Sequence, residues 1–336
     1  MNTLKKTSTG LAFFVFLLLT LFSVTSLADI EGLPPGTEEK INDILETMYP
    51  PETYSLTVTP DPPKADTITS ITSEIRNDSS KTDDRTTDAW ILYSSDGGDT
   101  WEEADMDKQG ESFKWNTELP AFPSGTEVLY GVRAQDTSTN IYVETPCLVT
   151  SWPPDGDPCM FDLAVDDDPI DDDSSVIPDD FDILEVKGGV DEDNLYIEIK
   201  VQGSIVEGKL TPMFAHIYGI GVMNPNKGNP SDILTQGFLG VYAPLADTFG
   251  YKQCMIISKP ADSVLTDSSR IECSAKDSRL WMKIQNVAIG NNPSKYVKMI
   301  AADGAFTAMN PMAGVYYDYT HVSSIGFYGR WFTVEE

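Results

Sequence analysis

From Thr53 onward, apolar and polar residues alternate in short runs with a period of two. SLTVTP, TITSITSEI, DAWILYSSDGG, TEVLYGVRAQD and NIYVETP are rich in Val, Ile, Thr and Tyr, and Pro, Gly, Asp and Asn separate them. Side chains alternate faces along a strand, so each run reads as a half-buried β-strand. The pattern resumes after residue 180. In LYIEIKVQGSI, Leu195, Ile197, Ile199 and Val201 share one face, and Tyr196, Glu198 and Lys200 share the other. FDILEVKGGV precedes that run across a DEDN turn. FAHIYGIGVM, GFLGVYAPL, KQCMIIS, RIECSA, RLWMKIQNV, VKMIAADG and GFYGRWFTV follow it. No helical period falls between the strands. The expected fold class is all-β, with two tandem antiparallel β-sandwiches, the second larger and jelly-roll-like.

Helical spacing occurs before Thr53. In TEEKINDILETM, Ile41, Ile44, Leu45 and Met48 lie on one face, Thr37 stands as N-cap, and Pro50-Pro51 ends the run. Further upstream, Lys5 and Lys6 precede the apolar run Leu11 to Val24, and Ser26-Leu27-Ala28 follows it. A charged start, a short apolar core and a small-x-small site form an export signal, with cleavage expected before Asp29. The expected divisions are a signal peptide over 1–28, a helical lead-in over 29–51 and a first sandwich over 52–147. An acidic junction over 148–180 and a second sandwich over 181–336 complete the chain. No second apolar run of spanning length is present, so the mature chain is expected to be exported (periplasmic, cell-surface or extracellular) without a membrane span.

Charge narrows the partners. The chain has 53 acidic residues against 23 basic ones, a formal charge of −30. Nucleic acids and anionic membranes need Lys/Arg surfaces, so neither is an expected partner. A protein or glycan partner at the cell surface is expected instead.

The residues YSSDGGDTW (93–101), LPAFPSGTEVLY (119–130) and Ala134-Gln135-Asp136 resemble the fibronectin type III and immunoglobulin-like modules of secreted bacterial proteins. The hairpin, the Pro-Ser-Gly corner and the closing strand carry this resemblance, which implies a sandwich over about 52–147 and says little of function. The opening of the second half, from Phe181 through DEDNLYIEIKVQGSI, resembles DOMON-like and family-9 carbohydrate-binding-like domains. That resemblance implies a larger sandwich, and Trp281 and Trp331 are its candidates for sugar stacking. Trp90, Trp101 and Trp115 form a second candidate platform, although a sandwich core needs aromatic residues in any case.

The four cysteines fall as two local pairs, Cys147 with Cys159 and Cys254 with Cys273. In an exported chain they are expected as disulfides. Their short loops would each contribute roughly 3 kcal/mol in the chain-entropy model.

Asp166 to Asp182, DDDPIDDDSSVIPDDFD, holds nine aspartates in seventeen residues, and no Lys or Arg occurs between Ala134 and Val186. Interspersed Val, Ile and Phe can anchor this stretch to a sandwich, where the crowded carboxylates would favour a counter-ion. Calcium accepts six to eight oxygens in flexible geometry. Asp166, Asp168, Asp171 and Asp173 are its expected ligands, with Asp162 and Asp318 as outside candidates. A solvated acidic linker is the competing reading. No haem or nucleotide motif is present.

No nucleophile elbow, H-E-x-x-H or P-loop occurs, and the only histidines are His216, in a strand, and His321, in an expected loop. The expectation is therefore no catalytic residues and a non-enzymatic binding or structural component of the cell surface or an extracellular assembly. The alternatives are a carbohydrate-binding accessory module and a glycoside hydrolase-type enzyme using a carboxylate pair.

Overall fold

The computed structural model describes residues 51–77, 85–110, 112–137, 140–165, 183–205, 218–223, 237–242, 253–258, 265–285, 295–301 and 318–336. The signal peptide, the Thr37–Met48 helix, His216 and the acidic stretch from 166 to 182 lie outside these residues. The described residues form an all-β structure of packed, almost wholly antiparallel sheets. None of their elements is a helix long and apolar enough to cross a membrane.

The first sandwich pairs a four-stranded sheet with one end of a much longer one. The small sheet has the order β1 (Glu52–Thr59), β2 (Thr69–Arg76), β6 (Lys114–Leu119), β5 (Asp107–Lys108). Facing it are β3 (Thr86–Ser94), β4 (Glu102–Asp105) and β7 (Glu127–Asp136). Strict alternation makes this core. Val128, Tyr130, Val132 and Ala134 of β7 are buried with Ile71, Ile75, Ile91 and Trp115.

β8 (Ile141–Thr145) pairs antiparallel with β7, and Gly131 lets the two strands approach closely where they run away from their connection. A Cβ at Gly131 would stand 2.1 Å from the Glu144 carbonyl oxygen, far inside van der Waals contact. β8 then pairs in parallel with β19 (Asp318–Phe327), which joins the long sheet's two ends. Beyond β19 the sheet continues through β18 (Lys295–Ala301), β12 (Tyr218–Met223), β13 (Gly237–Tyr242), β14 (Cys254–Ser258) and β15 (Leu265–Asp267). His321, expected in a loop, is part of β19.

The opposing five-stranded sheet runs β16 (Ile271–Lys276), β17 (Arg279–Gln285), β11 (Asn194–Val201), β10 (Ile183–Val190), β9 (Phe161–Val165). Its inner face supplies Leu195, Ile197, Ile199, Leu280, Met282 and Ile284 to the second core, which also takes Leu92 of β3 and Val143 of β8. One long sheet therefore runs through both sandwiches, so backbone hydrogen bonding is continuous from one to the other. The far end of the chain confirms the continuity. β20 (Arg330–Thr333) pairs with β7, and its Phe332 and the following Val334 belong to the first core.

Both disulfides join the local pairs, with Cα separations of 5.6 Å for Cys147–Cys159 and 5.9 Å for Cys254–Cys273. The second connects β14 to β16, so it ties the two sheets of the larger sandwich together. Replacing both Cys254 and Cys273 by Ala is expected to lower unfolding stability by roughly 3 kcal/mol. Denaturant titration of that variant checks this; an unchanged midpoint would show that the sheets need no covalent tie.

Candidate functional site

β20 places one large aromatic side chain in solvent. Phe332 points into the first core, and one residue earlier Trp331 points the other way and is 58% exposed. Trp331 stands opposite Leu129 on β7, and Leu129 stands opposite Ser94, the last residue of β3. Neighbouring strands lie about 4.8 Å apart, so the Trp331 backbone and the end of β3 are about 10 Å apart on one face. Thr333 and Glu127 form the next outward pair along the same strands, and both are exposed.

The turn after Ser94 closes this ledge. Gly97 and Gly98 have φ values of 81° and 95°, a conformation that suits residues without a Cβ. The Ser94 hydroxyl donates to Asp96 Oδ1 at 2.7 Å and accepts from the Gly98 amide at 2.9 Å. The Thr100 hydroxyl and amide donate to the Asp96 carboxylate at 2.6 and 3.0 Å. These bonds, led by the Thr100 hydroxyl, hold the Asp96 carboxyl far below the usual carboxylate range. A depressed value means that the turn is favoured above the ordinary carboxylate range and loosens as pH falls through the lowered one. Gly98 approaches the Leu129 side chain on one side and Trp101 on the other. Trp101 in turn meets Phe161 edge-on, with ring centroids 5.4 Å apart.

Behind the ledge, β20 is anchored by charge. Arg330 pairs with Glu144, a fully buried carboxylate whose other oxygen accepts from the Tyr142 hydroxyl at 2.7 Å. Burial pushes the Tyr142 phenol well above its ordinary value. Phe327 is 37% exposed and folds over Gly329 at the turn into β20.

The other predicted site residues fall elsewhere. Trp281 is 2% exposed, and its indole N–H donates to Glu198 Oε2 at 2.8 Å. Arg279 pairs with the same carboxylate. The expectation that Trp281 offers a stacking face is therefore corrected: its ring has no open side. Trp90, Trp101 and Trp115 do not form one platform. Trp115 is in the first core, Trp101 packs on the second, and Trp90 lies under the Arg133 guanidinium. Asp162 pairs with Lys187 at 3.4 Å on β9, while Asp318 opens β19 in a different sheet. Asp166, Asp168, Asp171 and Asp173 lie outside the described residues. Among the described residues no group of three or more His, Cys, Asp or Glu side chains comes together as a metal cage.

Trp152, within the span expected as an acidic junction, reaches the outer face of the five-stranded sheet. Its indole N–H donates to Glu272 at 2.9 Å, its ring lies 6.0 Å from that of Tyr196, and Lys283 sits 5.9 Å from both rings. Asp157 accepts from the amides and hydroxyls of Thr150 and Ser151, which shapes the disulfide-closed loop. These contacts pin the loop to the sheet and leave Trp152 no vacant polar group.

No protein-family model matches the sequence, and no curated protein matches it. Among solved structures, the chain is similar to a cycloalternan-forming enzyme from Listeria monocytogenes in complex with a pentasaccharide substrate, at 14% identity and a TM-score of 0.21. The match covers 74% of this chain and 21% of that one. A second similar structure is an uncharacterised Listeria monocytogenes protein in complex with α-D-glucose, β-D-glucose, magnesium and calcium. Its figures are 15% identity, 74% and 21% coverage, and a TM-score of 0.21. The chain spans about a fifth of the length of these two proteins. Both hold sugars, and one is an enzyme. The expectation of a non-enzymatic surface or assembly component, with no enzyme activity, is corrected to this extent: it finds no support among these neighbours, one of which is an enzyme. At a TM-score of 0.21 the superposition assigns no role to any residue of this chain.

Proposed function

We propose that this chain is an exported part of a carbohydrate-active enzyme and that it holds glycan on the Trp331 ledge. The supporting observation is the position of Trp331, an exposed indole beside a turn rich in hydroxyl and carboxylate groups. A pyranose has an apolar C–H face and a rim of hydroxyls. An exposed indole face covers the former, and carboxylate and hydroxyl oxygens at fixed positions accept from the latter. The two disulfides fit the oxidising setting of an exported protein. In this reading the immunoglobulin-like resemblance describes the scaffold, and the family-9-like resemblance of the second half describes its partner sandwich.

The test is a panel of soluble oligosaccharides scored for both binding and product formation by the purified mature chain. Binding of at least one oligosaccharide is expected, with new saccharide products in chromatography where the catalytic groups belong to this chain. A panel in which nothing binds and nothing turns over would remove the proposal.

A further inference from the structure

We infer that the Trp331 ledge takes neutral glycans and turns away glycans that carry carboxylate or sulfate groups. This rests on the glycan reading of the same surface and adds the class of ligand.

The groups that share the ledge with the ring are neutral or acidic. Thr333 follows on the same face of β20, Glu127 stands across from it, and Asp96 and Asp99 lie in the turn after β3. Asp96 is held as a carboxylate by Thr100 and Ser94. The nearest basic side chain along the strand, Arg330, alternates to the opposite face and is engaged by Glu144, with its guanidinium over the Tyr328 ring. Lys64 stands beside Glu335, four residues beyond Trp331 at the end of the strand. Among the described residues, the ledge thus offers acceptors to a bound sugar and no guanidinium or ammonium aimed at an anion.

A carboxylate only accepts hydrogen bonds, so a sugar hydroxyl satisfies it and a uronate or sulfate cannot. Two anions brought together also disfavour each other's charged form. The whole chain adds to this, since 53 acids against 23 bases repel anionic polymers at long range. The Debye length is about 10 Å at 0.1 M salt, comparable with the breadth of the ledge, so salt weakens this selection without abolishing it.

The experiment titrates the mature chain and its Trp331→Ala variant with maltohexaose, cellohexaose and N-acetylchitohexaose. The same proteins are titrated with hexagalacturonate and a heparin hexasaccharide, each at low and at high salt. At least one neutral hexasaccharide is expected to bind at low salt. Both anionic ones are expected to bind about tenfold more weakly or not at all, and the gap should narrow at high salt. Trp331→Ala should bind the neutral ligand roughly thirtyfold more weakly while keeping its circular dichroism and melting temperature. An anionic hexasaccharide binding as tightly as the best neutral one, in a Trp331-dependent way, overturns the inference and leaves the glycan reading standing. No binding by any of the five at either salt overturns the glycan reading itself, and the inference with it.

Discussion

Removing residues 330–336 is expected to unfold the first sandwich, although that sandwich begins almost 280 residues earlier in the chain. The deletion takes Phe332 and Val334 out of the core made by Ile71, Ile91, Val128 and Tyr130. Loss of a buried Phe side chain alone costs about 3–5 kcal/mol. It also strips Arg330 from Glu144, leaving a fully buried carboxylate with only the Tyr142 hydroxyl among the partners described above. Breaking a buried pair from one side costs about 3–5 kcal/mol more. Domains are stable by about 5–15 kcal/mol, so the two losses together approach the whole. Backbone pairing goes as well: the Val334 amide donates to the Thr126 carbonyl, the Glu335 amide donates to the Pro63 carbonyl, and the Glu335 carbonyl accepts from the Ala65 amide. Thermal melting and limited proteolysis check the result. The point variants Phe332→Ala and Arg330→Met separate the two causes, and each is expected to destabilise by several kcal/mol. Trp331→Ala, one residue away but exposed, should change stability by less than about 0.5 kcal/mol.

Gly131→Ala is the second large effect. The added methyl would meet the Glu144 carbonyl at 2.1 Å, and a backbone atom cannot rotate aside as a side chain can. Either β8 moves away from β7 or the strand distorts, and both disturb the parallel pairing of β8 with β19. A loss of about 3 kcal/mol is expected, at the upper end for overpacking. Hydrogen exchange should show it first at Ile141 to Thr145 and at Ser323 to Phe327, the residues paired across that seam. Uniform protection with an unchanged melting temperature would mean that the close approach of β8 to Gly131 has slack that the structure does not show.

Much of the scaffold was legible because strand alternation is a local property. Leu195, Ile197, Ile199 and Val201 face the core as their spacing required. The cysteine pairs were legible for a similar reason, since short loops favour local closure. What failed to show was everything set by distant pairing. GFYGRWFTV reads as one strand, yet Tyr328-Gly329 divides it, and its second half joins β7 of the first sandwich. Nothing in those nine residues names their partner. The two stacking candidates had equal standing in the sequence for the same reason. Trp281 and Trp331 each alternate outward from a core-facing neighbour. Trp281 is nevertheless enclosed on an interior strand with Glu198 and Arg279, while Trp331 is left open on a four-residue strand. Burial of an outward residue depends on what lies over the sheet, which a single strand does not encode.

The central claim, that glycan rests on the Trp331 indole, is tested most directly by calorimetric titration. The best-bound oligosaccharide would be titrated into the intact mature chain and into Trp331→Ala. Covering an indole that now exposes 58% of its surface removes on the order of 100 Å² of apolar area from water, worth about 2 kcal/mol. The account predicts a roughly thirtyfold weaker affinity for the variant at unchanged melting temperature. Equal affinities for the two proteins would contradict it, and the glycan would then have to be sought away from β20.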